Sequence, residues 1–241
     1  KLLSQINADY YYFADSNRAP WGSKSKEELW KIIKEISHFF QDINCDLIVT
    51  GCNTTYALFK DQLSEEFKTP VANIIETACE YAISETKTNN IGILATKRTI
   101  ESQIYQSTIH AMSDNNINAY GIASPELVPL IESNSIESTI TYNICERYIK
   151  QLLDNNIDTL IYGCTHYPYL DKIFSKIAPK IHRINPADTI INKIKTLGTV
   201  TPSDSTVSIH VNGDKNQMQS FISNYTSISK VEIHSEILNK I

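Results

Sequence analysis

The sequence predicts an α/β fold built from mostly parallel sheets, and two observations lead to this class. Short apolar runs alternate along the chain with longer segments whose apolar residues recur at helical spacing. In addition, the stretches 46–54 and 158–166 share an aspartate, an apolar run, a glycine and a cysteine in register. An apolar run that ends in Gly-Cys is typical of a buried parallel strand that leads into the N-terminus of a helix.

The elements of the first half follow from local signals. Ser25 and Glu28 have the spacing of a capping box, and the apolar residues that follow recur at helical spacing as far as Phe40. The other elements predicted in this half are strands at 9–13, 47–49 and 71–75 and helices at about 55–67 and 76–85.

The second half begins after the polar segment 87–90, which precedes a strong apolar run. Its predicted elements are strands at 91–94 and 159–162 and helices at 100–112 and about 136–153. Towards the end of the chain the pattern predicts a helix after 188 to about 197, a strand at 207–211, and a closing helix and strand.

The order of helix, short loop, aspartate, strand and Gly-Cys therefore occurs twice, which indicates a duplicated half rather than a solenoid repeat. We expect two parallel-sheet α/β domains related by pseudo-two-fold symmetry, with the active site between them. The predicted first domain contains residues 1–87 and 189–241, and the predicted second domain contains residues 88–188.

Composition excludes several classes of function. A net charge of −5 gives no basic surface, so nucleic acid is not expected as a partner. No apolar run approaches the ~20 residues that a membrane span needs, and no secretory leader is visible. Five cysteines without a CxxC pair predict neither a disulfide framework nor a metal site. Reduced thiols in a cytoplasmic enzyme fit this usage best.

Two of the five cysteines stand out by context. Cys52 and Cys164 each follow a glycine at the expected start of a helix, where unpaired N–H groups and a partial positive charge favour a thiolate or a bound carboxylate. The other three are expected to be small buried hydrophobes, because Cys45 lies just before a strand and Cys79 and Cys145 fall inside helices without polar neighbours. The repeated context therefore predicts an active pair.

A pair of thiols that face one another suits one kind of reaction in particular. One sulfur would take a proton from one face of a carbon, and the other would return a proton to the opposite face. Such a reaction needs one thiolate and one thiol at the same time, with the roles exchanged in the reverse direction.

Several motifs resemble those of bacterial glutamate racemases. Residues 163–168 read Gly-Cys-Thr-His-Tyr-Pro, which is the signature of that family, and residues 51–54 resemble its first cysteine motif. Residues 12–22, 91–100 and 211–214 are similar to further family elements, so the resemblance runs nearly from end to end.

The resemblance implies a cofactor-independent isomerase that interconverts L- and D-glutamate and supplies D-glutamate for peptidoglycan. It implies that Cys52 acts on D-glutamate, that Cys164 acts on L-glutamate, and that His166 assists proton transfer at Cys164. The positions that match the family's substrate-binding groups are Trp21, Gly22, Asn53, Thr54, Thr165 and His166, with Thr96 and Thr99 as further candidates for the side-chain carboxylate.

The sequence departs from the family pattern at several points. Trp21 replaces a tyrosine, and Gly51 replaces an alanine. The family's opening strand ends in Asp-Ser-Gly-x-Gly-Gly, and no such segment precedes Asp9. We therefore expect the printed chain to start after that segment of the natural protein.

Three alternatives remain open. The chain could be an aspartate or hydantoin racemase of the same superfamily, although the residues after Cys164 argue against this. It could be a non-catalytic relative that binds an acidic ligand or a protein partner. It could also be a cysteine hydrolase that uses Cys164 and His166, which would leave Cys52 unexplained. For the favoured function, a homodimer is expected, with glutamate as the small-molecule substrate.

Overall fold

A computed structural model describes residues 6, 8–18, 21, 24–196, 206–225 and 231–236. It confirms the α/β class, since strands and helices alternate and every strand pair is parallel. The strands are β1 Tyr10–Ala14, β2 Ile48–Val49, β3 Val71–Ala72, β4 Asn90–Ala95, β5 Asn118–Ala123, β6 Thr159–Gly163, β7 His182–Ile184, β8 Val207–Val211 and β9 Glu232–Ser235. The helices are α1 Lys26–Ile43, α2 Asn53–Glu66, α3 Ile74–Glu85, α4 Lys97–Glu101, α5 Ile104–Met112, α6 Leu127–Glu132, α7 Thr139–Leu153, α8 Asp171–Ile177, α9 Pro186–Thr196 and α10 Lys215–Tyr225.

The second half is organised around a four-stranded sheet with the order β5-β4-β6-β7. Its two central strands are almost completely buried, because helices cover both faces as parallel sheets require. The register pairs Ala95 at the end of β4 with Gly163 at the end of β6. The residues that follow these two strands therefore emerge at the same edge of the sheet.

The described strands of the first half form two smaller sheets. One has the order β1-β8-β9, so residues from both ends of the described chain pair with one another. The other contains only β2 and β3, with two residues in each strand. The core between β2 and the helices is formed by apolar side chains of α1 and α2 that include Leu29, Ile33, Phe59 and Leu63.

The capping box predicted at the start of α1 is confirmed. The Ser25 hydroxyl accepts from the Glu28 N–H at 3.1 Å, and the Glu28 carboxylate accepts from the Ser25 N–H at 2.9 Å. At its other end the helix stops at Asn44, whose φ of 59° is left-handed. The start of this helix was therefore readable from local side-chain chemistry.

Two predicted elements differ from the structure for local reasons. The strand expected at 71–75 is shorter, because the Asn73 side chain accepts from the N–H groups of Ile75 and Glu76 and so starts α3 early. The single helix expected at 100–112 is two helices, since Gln103 has a φ of 55° and interrupts the helical backbone between them.

Four elements were missed, namely β5, α6, β7 and α8. Strands β5 and β7 lie at the two edges of the four-stranded sheet, and neither contains a long apolar run. None of the helices in the described part of the chain is both long enough and apolar enough to cross a bilayer.

Candidate active site

The two predicted cysteines lie at the carboxyl ends of parallel strands. Cys52 follows β2 as the N-cap residue of α2, with an extended backbone. Cys164 follows β6 and is 7% exposed, whereas Cys52 is partly exposed. The thiols are close enough to interact electrostatically, since a negative charge on Cys52 contributes to raising the pKa of Cys164.

The surroundings of Cys164 favour the protonated form of its thiol. Burial raises the pKa of its thiol to about 12, and the charges of Cys52 and Glu132 act in the same direction. The His166 backbone N–H opposes this by hydrogen-bonding to the sulfur. The His166 imidazole is also near, with Nδ1 3.8 Å from the Cys164 sulfur.

Glu132, which sequence analysis missed, completes a line of three groups with Cys164 and His166. Its carboxylate Oε1 lies 3.5 Å from His166 Nε2, on the side of the imidazole opposite the sulfur. Burial lowers the pKa of His166, and the Glu132 carboxylate works against that shift. Glu132 is the last residue of α6, and no local motif marks it. Its place beside His166 follows only from the folded chain.

Three threonine hydroxyls form a cluster that joins the two halves. Thr54 Oγ1 lies 3.0 Å from Thr96 Oγ1 and 3.3 Å from Thr99 Oγ1, and the last two lie 3.0 Å apart. Thr54 is in the first turn of α2, next to Cys52, while Thr96 caps α4 at the end of β4. The structure thus brings together three residues that the sequence analysis selected from two separate motifs.

Asn53 presents a buried amide at the same place. Its Oδ1 accepts a hydrogen bond of 2.6 Å from the hydroxyl of Tyr105, which is fully buried. Its Nδ2 is buried and has no hydrogen-bond partner among the described residues. Because an unpaired buried donor is costly, this amide is a candidate donor to an acceptor on a ligand. Tyr105 was not predicted as a site residue.

The remaining predicted positions lie in more varied surroundings. Thr165 is exposed beside Cys164. Trp21 is partly buried and packs against the apolar cluster that contains Leu29 and Phe59. Gly22 lies outside the described residues.

Tyr12 lies near Cys52, although sequence analysis did not select it as a separate site residue. Its side chain is 56% exposed on β1. Surrounding protein nevertheless raises the pKa of its hydroxyl, and Tyr169 and Cys52 add smaller contributions. Tyr12 and Tyr169 therefore lie near the Cys52 side of the site.

A glycine precedes each of the two cysteines, but the structure requires glycine at only one of these positions. No described glycine has a positive φ, so neither position needs glycine for its backbone conformation. A Cβ at Gly163 would lie 2.7 Å from Ala95 Cβ and 3.1 Å from the Leu94 carbonyl oxygen. A Cβ at Gly51 would have nothing within 4 Å. Close packing of β6 on β4 therefore requires Gly163, whereas Gly51 is unconstrained.

No set of three or more His, Cys, Asp or Glu side chains in the described ranges is arranged to hold a metal ion. The fold and the site together define an α/β protein whose candidate chemistry depends on two thiols, a histidine and a carboxylate.

Comparison with known proteins places the chain within a family. Residues 8–194 match the sequence profile of the Asp/Glu/Hydantoin racemase family. A protein of Hydrogenobaculum sp. named glutamate racemase is 37% identical over 190 residues, which cover 78% of this chain and 72% of that protein. The chain belongs to the Asp/Glu/Hydantoin racemase family, and it is therefore an isomerase.

Solved structures agree with this assignment. The glutamate racemase of Francisella tularensis in complex with D-glutamate superposes with a TM-score of 0.90 at 26% identity, covering 100% of this chain and 92% of that one. The glutamate racemase isoform RacE1 of Bacillus anthracis, at 24% identity, shares the fold with a TM-score of 0.92 over 98% of this chain and 91% of its own.

Proposed function

We propose that this protein is a glutamate racemase that interconverts L- and D-glutamate without a cofactor. The observation that carries the proposal is the pair of thiols, Cys52 and Cys164, each of which follows a strand of a parallel sheet. The contact between Thr54, two residues after Cys52, and Thr96, at the end of the strand that pairs with β6, brings the two tips near one another. The relatives named glutamate racemase support glutamate over aspartate or a hydantoin as the substrate. A supply of D-glutamate for peptidoglycan, a cytoplasmic location and a homodimer belong to the same proposal.

In the proposed reaction a proton moves from the α-carbon to one sulfur, and a second proton moves from the other sulfur to the opposite face. Starting from D-glutamate, the Cys52 thiolate takes the α-proton and becomes a thiol. The carbanion then takes a proton from Cys164, which becomes a thiolate, and L-glutamate is formed. Burial of Cys164 suits this direction, because it keeps that group protonated until the carbanion appears.

The reverse direction needs Cys164 to lose its proton, and the line of His166 and Glu132 supports that step. The imidazole lies beside the sulfur, and the carboxylate stabilises positive charge on the ring. We therefore assign His166 the role of assisting proton transfer at Cys164, with Glu132 as the group that orients and stabilises it.

The substrate would be held by groups that donate hydrogen bonds around the α2 N-terminus. The unpaired Asn53 amide and the hydroxyls of Thr54, Thr96 and Thr99 are suited to carboxylate oxygens. The N-terminus of α2 adds a partial positive charge at the same place. Trp21, Gly22 and Thr165 stay as further binding positions in this proposal.

We also propose the division into domains 1–87 with 189–241 and 88–188. The membership of the sheets supports it, because β1 to β3, β8 and β9 fall in the first domain and β4 to β7 in the second. The site residues come from both, so closure of the domains on glutamate would exclude water and align the sulfurs.

The experiment that tests this function is incubation with D-glutamate in D2O. We expect optical rotation to decay to zero while one deuterium enters the α-position of the product. The Cys164, His166 and Glu132 line also fits a cysteine hydrolase. Hydrolysis of an amide or ester substrate without α-deuteration would favour that second function. If glutamate shows no deuteration and no racemisation, the first function is refuted.

A further inference from the structure

Tyr105 reaches from the second half of the chain to the residue that follows Cys52. It is the second residue of α5 and is fully buried. Its hydroxyl donates to Asn53 Oδ1 at 2.6 Å, although 52 positions separate the two residues in the sequence. Asn53 is the first residue of α2 and is 3% exposed. The contact therefore joins a side chain of the second half to the start of the helix that begins after Cys52.

The break between α4 and α5 places Tyr105 at this point. Gln103 has a left-handed backbone, and the Ser102 hydroxyl accepts from the Ile104 N–H at 3.3 Å, so a new helix starts one residue before Tyr105. The Tyr105 carbonyl oxygen lies 4.0 Å from the Cys79 sulfur, and the side chain belongs to a large buried apolar cluster. The ring is thus enclosed by packing, which leaves the hydroxyl little freedom to move away from its partner.

This hydroxyl fixes which way the Asn53 amide faces. Among the described residues, Asn53 Oδ1 is the one acceptor of the Tyr105 hydroxyl. Burial raises the pKa of Tyr105, with smaller contributions from the charges of Cys79 and Cys164, so the hydroxyl keeps its proton and stays a donor. If the amide were turned over, this proton would meet the Nδ2 group, which is itself a donor, and the buried O–H would lose its acceptor. The amide oxygen is therefore held towards Tyr105.

The Nδ2 group of the same amide is the side left for a ligand. It is buried and has no hydrogen-bond partner in the part of the chain that the structure describes. Its neighbours in the sequence are Cys52 and Thr54, and the Thr54 hydroxyl contacts those of Thr96 and Thr99. With its oxygen occupied by Tyr105, the Asn53 amide therefore adds N–H donors, and not an acceptor, to a cluster of groups that can donate hydrogen bonds.

We propose that Tyr105 is a positioning residue for substrate binding: its hydroxyl holds the Asn53 oxygen, so that the amide presents its N–H donors to a carboxylate of the substrate. An ionised carboxylate only accepts hydrogen bonds, and an amide oxygen in the place of Nδ2 would repel it. The inference rests on the proposed function, because glutamate supplies the carboxylate. It adds to that function the residue that determines which side of the Asn53 amide the substrate meets.

Tyr105→Phe removes the hydroxyl and keeps the ring. The Asn53 amide then loses the partner that orients it, so we expect KM for each enantiomer of glutamate to rise about five- to tenfold, because hydrogen bonds to charged groups are among the stronger ones. We expect kcat to stay within about twofold of the wild-type value, since this interaction is made equally in the bound substrate and in the transition state. Initial rates of racemisation from D- and L-glutamate measure both constants.

Tyr162→Phe is the matched control for the loss of a buried hydroxyl. Tyr162 is 2% exposed, and its hydroxyl donates to Asp171 Oδ1 at 2.7 Å, at the start of α8. Its removal should lower the melting temperature, as Tyr105→Phe does, but should leave KM unchanged. A rise in KM that merely followed a loss of stability would appear in both variants.

A double-mutant cycle with Asn53→Ala shows whether Tyr105 acts through Asn53. If it does, adding Tyr105→Phe to Asn53→Ala should change KM by less than about twofold, because the partner is already gone. Effects of the two substitutions that multiply would show that Tyr105 acts by another route and would overturn the proposal. Calorimetric titration with D-glutamate gives the same comparison where a variant is too slow for rate measurements.

If Tyr105→Phe does not fold, as judged by its thermal melting, Asn53→Asp carries the test. Its carboxylate still accepts from the Tyr105 hydroxyl but has an oxygen in the place of Nδ2, so KM should rise by more than about tenfold. An unchanged KM in folded Tyr105→Phe, or in Asn53→Asp in its place, overturns the proposal. Absence of racemisation in the wild type would instead refute the proposed function, so the two failures are distinct.

Discussion

The two Gly-Cys tips share a sequence pattern but lie in different surroundings. Cys164 ends a five-residue buried strand in the middle of a four-stranded sheet. Cys52 lies beyond a two-residue strand, β2, which pairs only with β3 among the described residues, and it is more exposed than Cys164. Duplication therefore places each sulfur beyond the end of a strand, whereas burial, together with the charges of Cys52 and Glu132, raises the pKa of Cys164.

The neighbours of Cys164 come from outside the repeat. His166 follows Cys164 in the same turn, but Glu132 belongs to α6. Tyr105 belongs to α5, and the charge of Cys164 contributes to raising the pKa of its hydroxyl. Cys52 is followed, in the first turn of α2, by the amide of Asn53 and the hydroxyl of Thr54. One tip is thus equipped for proton transfer through an imidazole, and the other is equipped mainly with hydrogen-bond donors.

The largest effect on activity is expected when either of the two sulfurs is removed. Cys52→Ser and Cys164→Ser should each reduce racemisation by about 10³-fold or more, because a serine hydroxyl is a far weaker acid and base than a thiol. Racemisation is measured by circular dichroism, starting from each enantiomer. Cys45→Ser, at a partly exposed cysteine outside the site, is the control and should keep wild-type activity.

If one of the two serine variants kept most of its activity, that tip would be structural and the two-base reaction would be wrong. If both variants were inactive but also unfolded, as judged by their melting curves, alanine at the same positions would separate packing from chemistry.

A smaller, more selective effect is expected at Glu132. Glu132→Gln keeps the shape of the side chain but removes the charge that stabilises a protonated His166. Because the carboxylate opposes the lowering of the His166 pKa, its removal should lower that pKa further. We expect about a tenfold loss of kcat, within the range for assisting groups in proton transfer, and a shift of the acidic limb of the pH profile to lower pH.

Because L- and D-glutamate have equal free energies, kcat/KM must fall equally in both directions. Glu137→Gln, at an exposed glutamate just beyond α6, is the matched control. A pH profile that does not move in Glu132→Gln would show that this carboxylate does not act through His166.

The smallest effect expected is on stability, and it compares the two glycines directly. Gly163→Ala forces a methyl group against Ala95 and the Leu94 carbonyl, so we expect the free energy of unfolding to fall by about 1–3 kcal/mol. Gly51→Ala meets no atom and should leave stability unchanged or raise it by about 0.4–1 kcal/mol. Urea denaturation measures both. Equal losses at the two sites would contradict the packing difference.

Much of this arrangement could be predicted because its signals are local. The capping box at Ser25, the apolar runs of β4 and β6, and the burial of Cys79 and Cys145 all follow from short stretches of sequence. The two Gly-Cys tips were found because the same pattern occurs twice.

The parts that could not be predicted depend on contacts between distant residues. The edge strands β5 and β7 are stabilised by pairing with a buried neighbour rather than by their own composition. Glu132 reaches His166 only after α6 has folded onto the second sheet. The unequal exposure of the two sulfurs likewise comes from the sheets around them, which the repeat does not encode.

The central claim is that both sulfurs reach one α-carbon from opposite sides, and a crystal structure with bound D-glutamate tests it most directly. We predict that the α-carbon lies between Cys52 and Cys164, with each sulfur about 3–3.5 Å from it and the α-hydrogen directed at Cys52. A complex in which both sulfurs lie on the same side of the α-carbon, or in which one of them is separated from it by other side chains, would contradict the account.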